Sequence, residues 1–201
     1  MAEPDYRSAL HGASEPSGLA LRIWEMPSRG MIDLRGDAGN EKFRAGVKQV
    51  TGVALPLTPR TSAAWGEIKI LWLSIDQWLV ICPRVRVADL TGGLETALNG
   101  QHVAITDASD MRAVIRLEGE GVREVLLKGC SLDLLGNGYE PGTVRRVRFA
   151  EIAALIQVID AQTIELYVFR SYAHYAWDFL TVTASAAAQV KLFGEQAVPA
   201  V

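Results

Sequence analysis

Apolar and polar positions alternate along several short runs of this chain and recur at helical spacing along others. Ile68-Lys69-Ile70-Leu71-Trp72-Leu73 and Trp78-Leu79-Val80-Ile81-Cys82 are rich in strand-forming residues. Ser74-Ile75-Asp76-Gln77 joins them, which predicts a hairpin. Leu19 to Met26 and Met31 to Leu34 read as two strands separated by the turn Pro27-Ser28-Arg29-Gly30. Phe43, Val47 and Val50 define a helix by their i, i+4, i+7 spacing, with Asn40 able to cap it and Gly52 to stop it. The segment Val53 to Thr61 is a proline-marked connection. Val87, Leu90, Leu94 and Leu98 trace a second helix that carries Gly92 and Gly93 inside it and ends at Asn99-Gly100.

The second half of the chain repeats that order. Strands are expected at His102 to Thr106 and Ala113 to Leu117, then a helix from Val122 to Lys128, because Val122, Val125, Leu126 and Gly129 recur at helical spacing. Glycine directly after lysine is a favoured helix end, since glycine tolerates positive φ. Strands follow at Val144 to Phe149, Ile152 to Ile159 and Thr163 to Phe169, and a final helix from Ser171 to about Ala188. Leu34-Arg35-Gly36 has a counterpart in Leu117-Glu118-Gly119, and Leu79-Val80-Ile81-Cys82-Pro83-Arg84 in Leu166-Tyr167-Val168-Phe169-Arg170. The landmarks are 48 residues apart from Gly36 to Arg84 and 51 from Gly119 to Arg170. The reading is an α+β fold of two duplicated β-β-α-β-β-α halves, residues 19–101 and 102–194, with helices packed on antiparallel sheets in a single domain. Residues 1–18, with Pro4, Gly12, Ser14, Pro16, Ser17 and Gly18, are expected to form a flexible arm, and residues 195–201 a tail.

Composition narrows the classes of function. A chain of 201 residues that is 49% hydrophobic can fill one large domain or two small fused ones. A net charge of −3 supplies no field that would recruit nucleic acid or an anionic membrane. The longest apolar run, Ile152 to Ile156, is far short of the roughly 20 residues that cross a bilayer. No signal-peptide pattern opens the sequence, so a cytoplasmic protein is expected. Cys82 and Cys130 lack metal spacing and read as free thiols.

No catalytic constellation stands out, and each candidate has a structural reading that is preferred. His11 lies in the arm, His102 starts a strand, and His174 stands four residues before Asp178, where the two can meet on a helix surface. Asp107 and Asp110 flank Ser109 at a turn, and Asp and Ser are common turn residues because they bond local amides. Cys130 follows a helix C-terminus, where the dipole disfavours a thiolate. The loops Gly36-Asp37-Ala38-Gly39 and Gly119-Glu120-Gly121 could offer amides to an anion, but each contains an acid and neither contains a lysine or arginine. Tyr167, Tyr172, Tyr175 and Trp177 cluster near the last strand and helix beside Arg170, a composition shared by cores and protein interfaces. Arg170, Tyr172, Tyr175 and Trp177 are the candidate interface residues; no catalytic, cofactor-binding or metal-binding residue is assigned.

One stretch carries a family pattern. Asp107-Ala108-Ser109-Asp110, the strand Ala113 to Leu117, the helix ending in Lys128-Gly129-Cys130 and the following Ser131-Leu132-Asp133-Leu134 resemble the gamma subunit of heterotetrameric sarcosine oxidase, a relative of the folate-binding aminomethyltransferase fold. Leu73-Ser74-Ile75-Asp76-Gln77-Trp78-Leu79-Val80 is similar to the family's L-S-P-D-E-W-L-V-type hairpin, and Val168-Phe169-Arg170-Ser171-Tyr172-Ala173 to its V-x-R-S-[FY]-A segment. Arg7-Ser8-Ala9-Leu10 is similar to its R-S-P-L start, with Ala9 in place of proline. The likeness runs from about residue 7 to Gly194.

The resemblance implies a non-catalytic chain in a complex that oxidises sarcosine to glycine, reduces oxygen to hydrogen peroxide and passes the methyl carbon to tetrahydrofolate. It implies alpha, beta and delta partner subunits, with FAD and FMN in the beta and alpha chains, NAD and folate sites in the alpha chain and zinc in the delta chain. This chain is then expected to bind none of them and to support assembly and stability of the flavin-bearing subunits. An independent folate-binding protein of the same fold, aminomethyltransferase-like or an iron-sulfur maintenance protein, is the alternative. The latter's hallmark is K-G-C-[YF]-x-G-Q-E, whereas Ser131-Leu132-Asp133-Leu134 follows Cys130 and lacks the glutamine and glutamate. A ligand-binding regulator has no positive feature in the sequence.

Overall fold

Strand propensity and helical periodicity resolve into ten strands and four α-helices in a computed structural model, which describes residues 7–16, 21–132, 134 and 139–190. The first half runs β1 (Arg22–Glu25), β2 (Arg29–Arg35), α1 (Glu41–Thr51), β3 (Ser62–Trp65), β4 (Ile68–Ser74), β5 (Gln77–Pro83) and α2 (Val87–Ala97). The second runs β6 (Ala104–Asp107), β7 (Arg112–Glu118), α3 (Val122–Leu127), β8 (Val144–Phe149), β9 (Ile152–Val158), β10 (Thr163–Phe169) and α4 (Ala173–Thr183). Short 3-10 turns at Arg84–Arg86 and Arg170–Tyr172 lead into α2 and α4, so the order repeats element for element.

Three elements differ from the sequence reading. Strand β3 falls just beyond the proline-marked connection; Ser62-Ala63-Ala64-Trp65 is small-residue-rich and only partly covered, so no alternation marks it. The last helix stops at Thr183 instead of continuing to Ala188, and a separate 3-10 turn covers Ala186–Ala188. The Thr181 and Thr183 hydroxyls donate to the Trp177 and Phe179 carbonyls, back-bonding that weakens a helix end. Strand β1 starts at Arg22, and the part of its predicted span before residue 21 lies outside the described residues, as do residues 1–6 and 17–18 of the arm and the tail.

The two sheets have matching strand order with one exchange. The first reads β3-β4-β5-β2-β6 and the second β8-β9-β10-β7-β1. Strand β6 comes from the second half of the sequence and pairs antiparallel with β2 from Ile32↔Asp107 to Arg35↔Ala104. Strand β1 comes from the first half and pairs antiparallel with β7 from Arg22↔Glu118 to Glu25↔Ile115. Two compact units result, one of Pro27–Arg112 with Gly142–Arg146, the other of the described residues in Met1–Met26, Ala113–Pro141 and Val147–Val201. Their boundaries are not those of the sequence repeats 19–101 and 102–194, because each sheet takes its edge strand from the other half.

Each unit has its own core. In the first, Phe43 and Val47 of α1 and Leu90 and Leu94 of α2 cover Ile32, Leu34, Ile70, Trp78 and Val80. The Phe43 and Trp78 rings lie 5.7 Å apart, and Trp78 Nε1 donates to the Pro56 carbonyl at 2.9 Å, so the proline-marked connection satisfies the buried indole. Asn40 caps α1 by accepting from Lys42 N–H, and Gly52 ends it at φ 73°. In the second unit, Val122, Val125 and Leu126 of α3 and Ala176, Trp177 and Leu180 of α4 pack with Ile115, Leu117, Ile156, Ile164, Leu166 and Val168. Leu10, in the stretch expected to be a flexible arm, is buried in this core, and its N–H donates to Glu25 Oε1 at 3.2 Å. It is the one large aliphatic side chain between Arg7 and Pro16, and removing it from water stabilises by roughly 1.5–3 kcal/mol.

Lysine-glycine-cysteine at the end of α3 is a packing device. A Cβ on Gly129 would stand 2.4 Å from Phe149 Cε2, and Phe149 is itself fixed edge-on against Phe179 at 5.2 Å. Replacing Gly129 by alanine is expected to cost about 1–3 kcal/mol through overpacking, read as a lower denaturant midpoint; an unchanged midpoint would mean that Phe149 moves aside freely.

Candidate functional site

The Asp107–Asp110 turn is a latch for the exchanged strand. Ala108 N–H donates to the Met31 carbonyl at 2.8 Å, and Met31 N–H donates to Ser109 Oγ at 3.1 Å, extending the β2–β6 ladder beyond its last strand pair. Asp107 Oδ1 accepts from Ser109 N–H at 2.9 Å and from its hydroxyl at 2.5 Å, while Asp110 pairs with Arg84 at 2.6 Å. Asp107 is thus held within the turn, in the manner of a turn residue, and Asp110 by an ion pair with Arg84, so neither is arranged as half of an acid–base pair. Ser109→Ala leaves the Met31 amide without this acceptor and should cost about 1–3 kcal/mol. Thermal melting measures it, and an unaltered melting temperature would mean that Ser109 does not latch β6 to β2.

Two concavities lie along this edge of the first unit. One, of about 340 Å³, is lined by Asp33, Thr106, Asp107, Ala108, Asp110 and Met111. The other, of about 570 Å³, is formed by Arg35 to Ala38 of the β2–α1 loop, Ile75 and Asp76 of the β4–β5 turn and His102 to Ala104 leading into β6. Its charges are partly committed: Arg35 Nη1 is 3.6 Å from Asp76, and Arg35 Nε is 3.7 Å from Asp33. The Ser74 hydroxyl, bonded to Asp76 at 2.5 Å and assisted by Arg35, holds the Asp76 carboxyl below its usual range, which suits a fixed anion and not a base. His102 thus comes to line a pocket with Arg35 and Asp76, a grouping that depends on β6 lying beside β2.

The glycine loops use their amides internally. Gly36 N–H donates to the Asp76 carbonyl at 3.1 Å, Gly39 N–H to Asp37 Oδ1 at 2.7 Å, and Gly119 N–H to the Gln162 carbonyl at 2.9 Å. His11, His174 and Asp178 are exposed. Among the described residues no group of three or more His, Cys, Asp or Glu side chains could hold a metal. The same residues include no helix long and apolar enough to cross a membrane.

In the second unit, Lys128 Nζ donates to the Thr183 carbonyl at 2.8 Å and the Ala188 carbonyl at 2.6 Å, and lies 3.2 Å from Glu124 Oε1, which accepts from Val190 N–H. Lys128 therefore caps the end of α4. Glu165 is fully buried, 2.5 Å from Arg116 Nη2, and accepts from the Tyr167 hydroxyl at 2.7 Å. Of the candidate interface residues, Tyr172 and Tyr175 are 47% and 40% exposed, whereas Trp177 is 8% exposed and belongs to the core. Helical spacing puts Trp177 on the face of Ala173, Ala176 and Leu180, which is the buried face of α4. Arg170 Nη2 donates to the Arg7 carbonyl at 2.5 Å.

Comparison with known proteins then decides the family. The sarcosine oxidase, gamma subunit family matches residues 35–187. The chain belongs to that family. No curated protein sequence matches it. The fold of this gamma-family chain is similar to a chain of heterotetrameric sarcosine oxidase from Corynebacterium sp. U-96 in complex with pyrrole 2-carboxylate, with a TM-score of 0.82 and 23% identity over 92% of this chain and 98% of that one. It is also similar to aminomethyltransferase T of the glycine cleavage system from Bartonella henselae, with a TM-score of 0.58 and 13% identity over 79% of this chain and 44% of the other. The α+β fold with antiparallel sheets thus sits among aminomethyltransferase-like folds.

Both thiols of this family member are buried. Desolvation pushes Cys82 up to about 11 against the opposing Arg86 charge, and it also raises Cys130, so burial is the principal cause where the sequence suggested the helix dipole. Desolvation likewise pushes Tyr139 up to about 12, opposed by Arg123, whose guanidinium stacks 4.5 Å from its ring. Folded-state values above the unfolded ones mean that the folded chain keeps protons the unfolded chain loses. These groups' stabilising contribution is therefore full below about pH 9 and is lost as pH rises from about 9 to 11 for Cys82 and from about 10 to 12 for Tyr139. Denaturant midpoints measured across that range should fall, and Cys82→Ala should lessen the lower part of the decline, to which Cys130 also contributes; a flat profile would contradict the assignment.

Proposed function

We propose that this chain is a non-catalytic gamma subunit of a cytoplasmic heterotetrameric sarcosine oxidase. It supports assembly and stability of the alpha and beta subunits that carry FAD and FMN, in a complex with a delta subunit that oxidises sarcosine to glycine and transfers the one-carbon unit to tetrahydrofolate. NAD and tetrahydrofolate, like the flavins, are held by the partners in this reading. The family match over residues 35–187 carries it. Support comes also from the commitment of the candidate polar groups to the fold itself: Ser109 and Asp107 to the β6 latch, Lys128 to the end of α4, Glu165 to Arg116 and Tyr167.

The contact role rests on α4 and the turn before it. Tyr172, Tyr175 and Val182, spaced three and seven residues apart, are 47%, 40% and 68% exposed and form one apolar stripe. Tyrosine is a favoured interface anchor because it buries a large ring and keeps a polar tip. Trp177, already in the core, is left out of this surface.

The test is co-expression of the full chain with the other oxidase subunits, reading the flavin absorbance of the recovered complex. Alone, the chain should be colourless and inactive with sarcosine. Tyr172→Ala combined with Tyr175→Ala should weaken assembly by about 30-fold, the equivalent of losing one anchor of about 2 kcal/mol, without unfolding the chain. Retention of a flavin by the isolated chain would overturn the non-catalytic reading. Micromolar tetrahydrofolate binding in calorimetry would favour the independent folate-binding alternative.

A further inference from the structure

Positive charge is neutralised along most strands and left uncompensated at one edge. Arg22 meets Glu15, Arg35 meets Asp33 and Asp76, Arg84 meets Asp110, Arg116 meets Glu165 and Arg148 meets Glu151. Arg60, Arg145 and Arg146 form no ion pair among the described residues. The backbone nevertheless brings the segment at Arg60 against the segment that leads into β8, where Arg145 and Arg146 stand on alternate faces. Thr61 and Thr143 form an antiparallel bridge, Val144 N–H donates to the Arg60 carbonyl at 2.8 Å, and Ser62 donates to the Gly142 carbonyl through both its N–H and its hydroxyl at 2.9 Å. Arg60 is held there at φ 67°.

Like charges brought close without a counter-ion repel. Burial lowers Arg145 from its ordinary value, and the Arg60 charge adds to the effect. Burial also lowers Arg112, with Arg146 adding and Asp33 opposing. A chain whose net charge is −3 thus concentrates unneutralised cations at one edge. Trp65, at the far end of β3 from Arg60, is 74% exposed. Arginine and tryptophan are the side chains most enriched among residues that dominate binding energy, and guanidinium groups match carboxylates two bonds at a time.

We propose that Arg60, Arg145, Arg146 and Trp65 form a docking edge for an acidic segment of another oxidase subunit. Charge complementarity selects this occupant: three guanidinium groups without an ion pair among the described residues match carboxylates, and the exposed indole at the other end of β3 offers an apolar contact farther along the same segment. The inference rests on the assembly reading above and names a second contact, on a different unit from Tyr172 and Tyr175.

The experiment compares full-length wild type with Arg60→Gln/Arg145→Gln/Arg146→Gln, each co-expressed with the partner subunits and titrated with salt. The neutral variant should bind at least about tenfold more weakly at low ionic strength and lose most of the salt dependence, because exposed charge pairs are screened by added ions. Its melting temperature alone should be equal to or above that of wild type, since repulsion is relieved. Arg60→Lys/Arg145→Lys/Arg146→Lys should retain the salt dependence, which separates charge from folding, and Trp65→Ala should weaken binding without changing the salt slope. Unchanged affinity and slope in the glutamine variant, with assembly still lost in the Tyr172→Ala/Tyr175→Ala variant, would overturn this docking edge alone. A wild-type chain that retains no oxidase subunit would overturn the assembly reading and this inference together.

Discussion

Four backbone pairs, from Ile32 with Asp107 to Arg35 with Ala104, hold β6 on β2, and the chemistry of that unit follows from where they put the chain. They bring residues from two sequence halves into one sheet, so that Asp33 and Thr106 line the same cavity and Arg35 and His102 another. A four-residue edge strand is short for that task, and the ladder is lengthened by side chain and turn: Ala108 bonds Met31 through the backbone and Ser109 through its hydroxyl. The counterpart at the second sheet is the Met26 amide on the Val114 carbonyl, 2.8 Å, at the end of β1.

The residues that resemble the family most closely do their physical work in packing. Gly129 lets α3 approach Phe149, Lys128 neutralises the carbonyl end of α4, and Ser109 closes the β6 turn. Glu165 is a charged side chain inside a largely apolar interior. With no exposure at all, it depends on Arg116 and the Tyr167 hydroxyl, and removal of either charge would strand the other at a cost of roughly 3–5 kcal/mol. A buried ion pair adds little over a well-packed apolar pair, so its value lies in the unique geometry it demands of β7 and β10.

What this organisation leaves exposed is informative about partners. Committed polar groups in the turns and loops leave the surface chemistry to aromatic and basic side chains: Tyr172 and Tyr175 on one unit, Trp65 with Arg60, Arg145 and Arg146 on the other. Membership of the sarcosine oxidase gamma subunit family gives these surfaces a context in which association is the expected use.

Local rules made much of the fold legible. Asn40 and Gly52 bound α1, runs of strand-forming residues marked β4 and β5, the i, i+3, i+7 series from Val87 marked α2, and the repeated landmarks around Gly36 and Gly119 marked the duplicated order, all because propensity, capping and periodicity act over a few residues. The Asp107-Ser109-Asp110 turn was legible too, as turn chemistry. Tertiary structure decided the exchange of β1 and β6, because pairing partners far apart in sequence leave no local pattern. It decided that β3 is a strand, since an edge strand of small residues has no buried face to alternate, and that Leu10 is core while Tyr172 and Tyr175 are surface. Trp177 carried its burial in its helical phase, but the three aromatic neighbours could be divided between core and surface only once α4 had a sheet to lie on, because burial is set by what covers a side chain and not by the side chain itself.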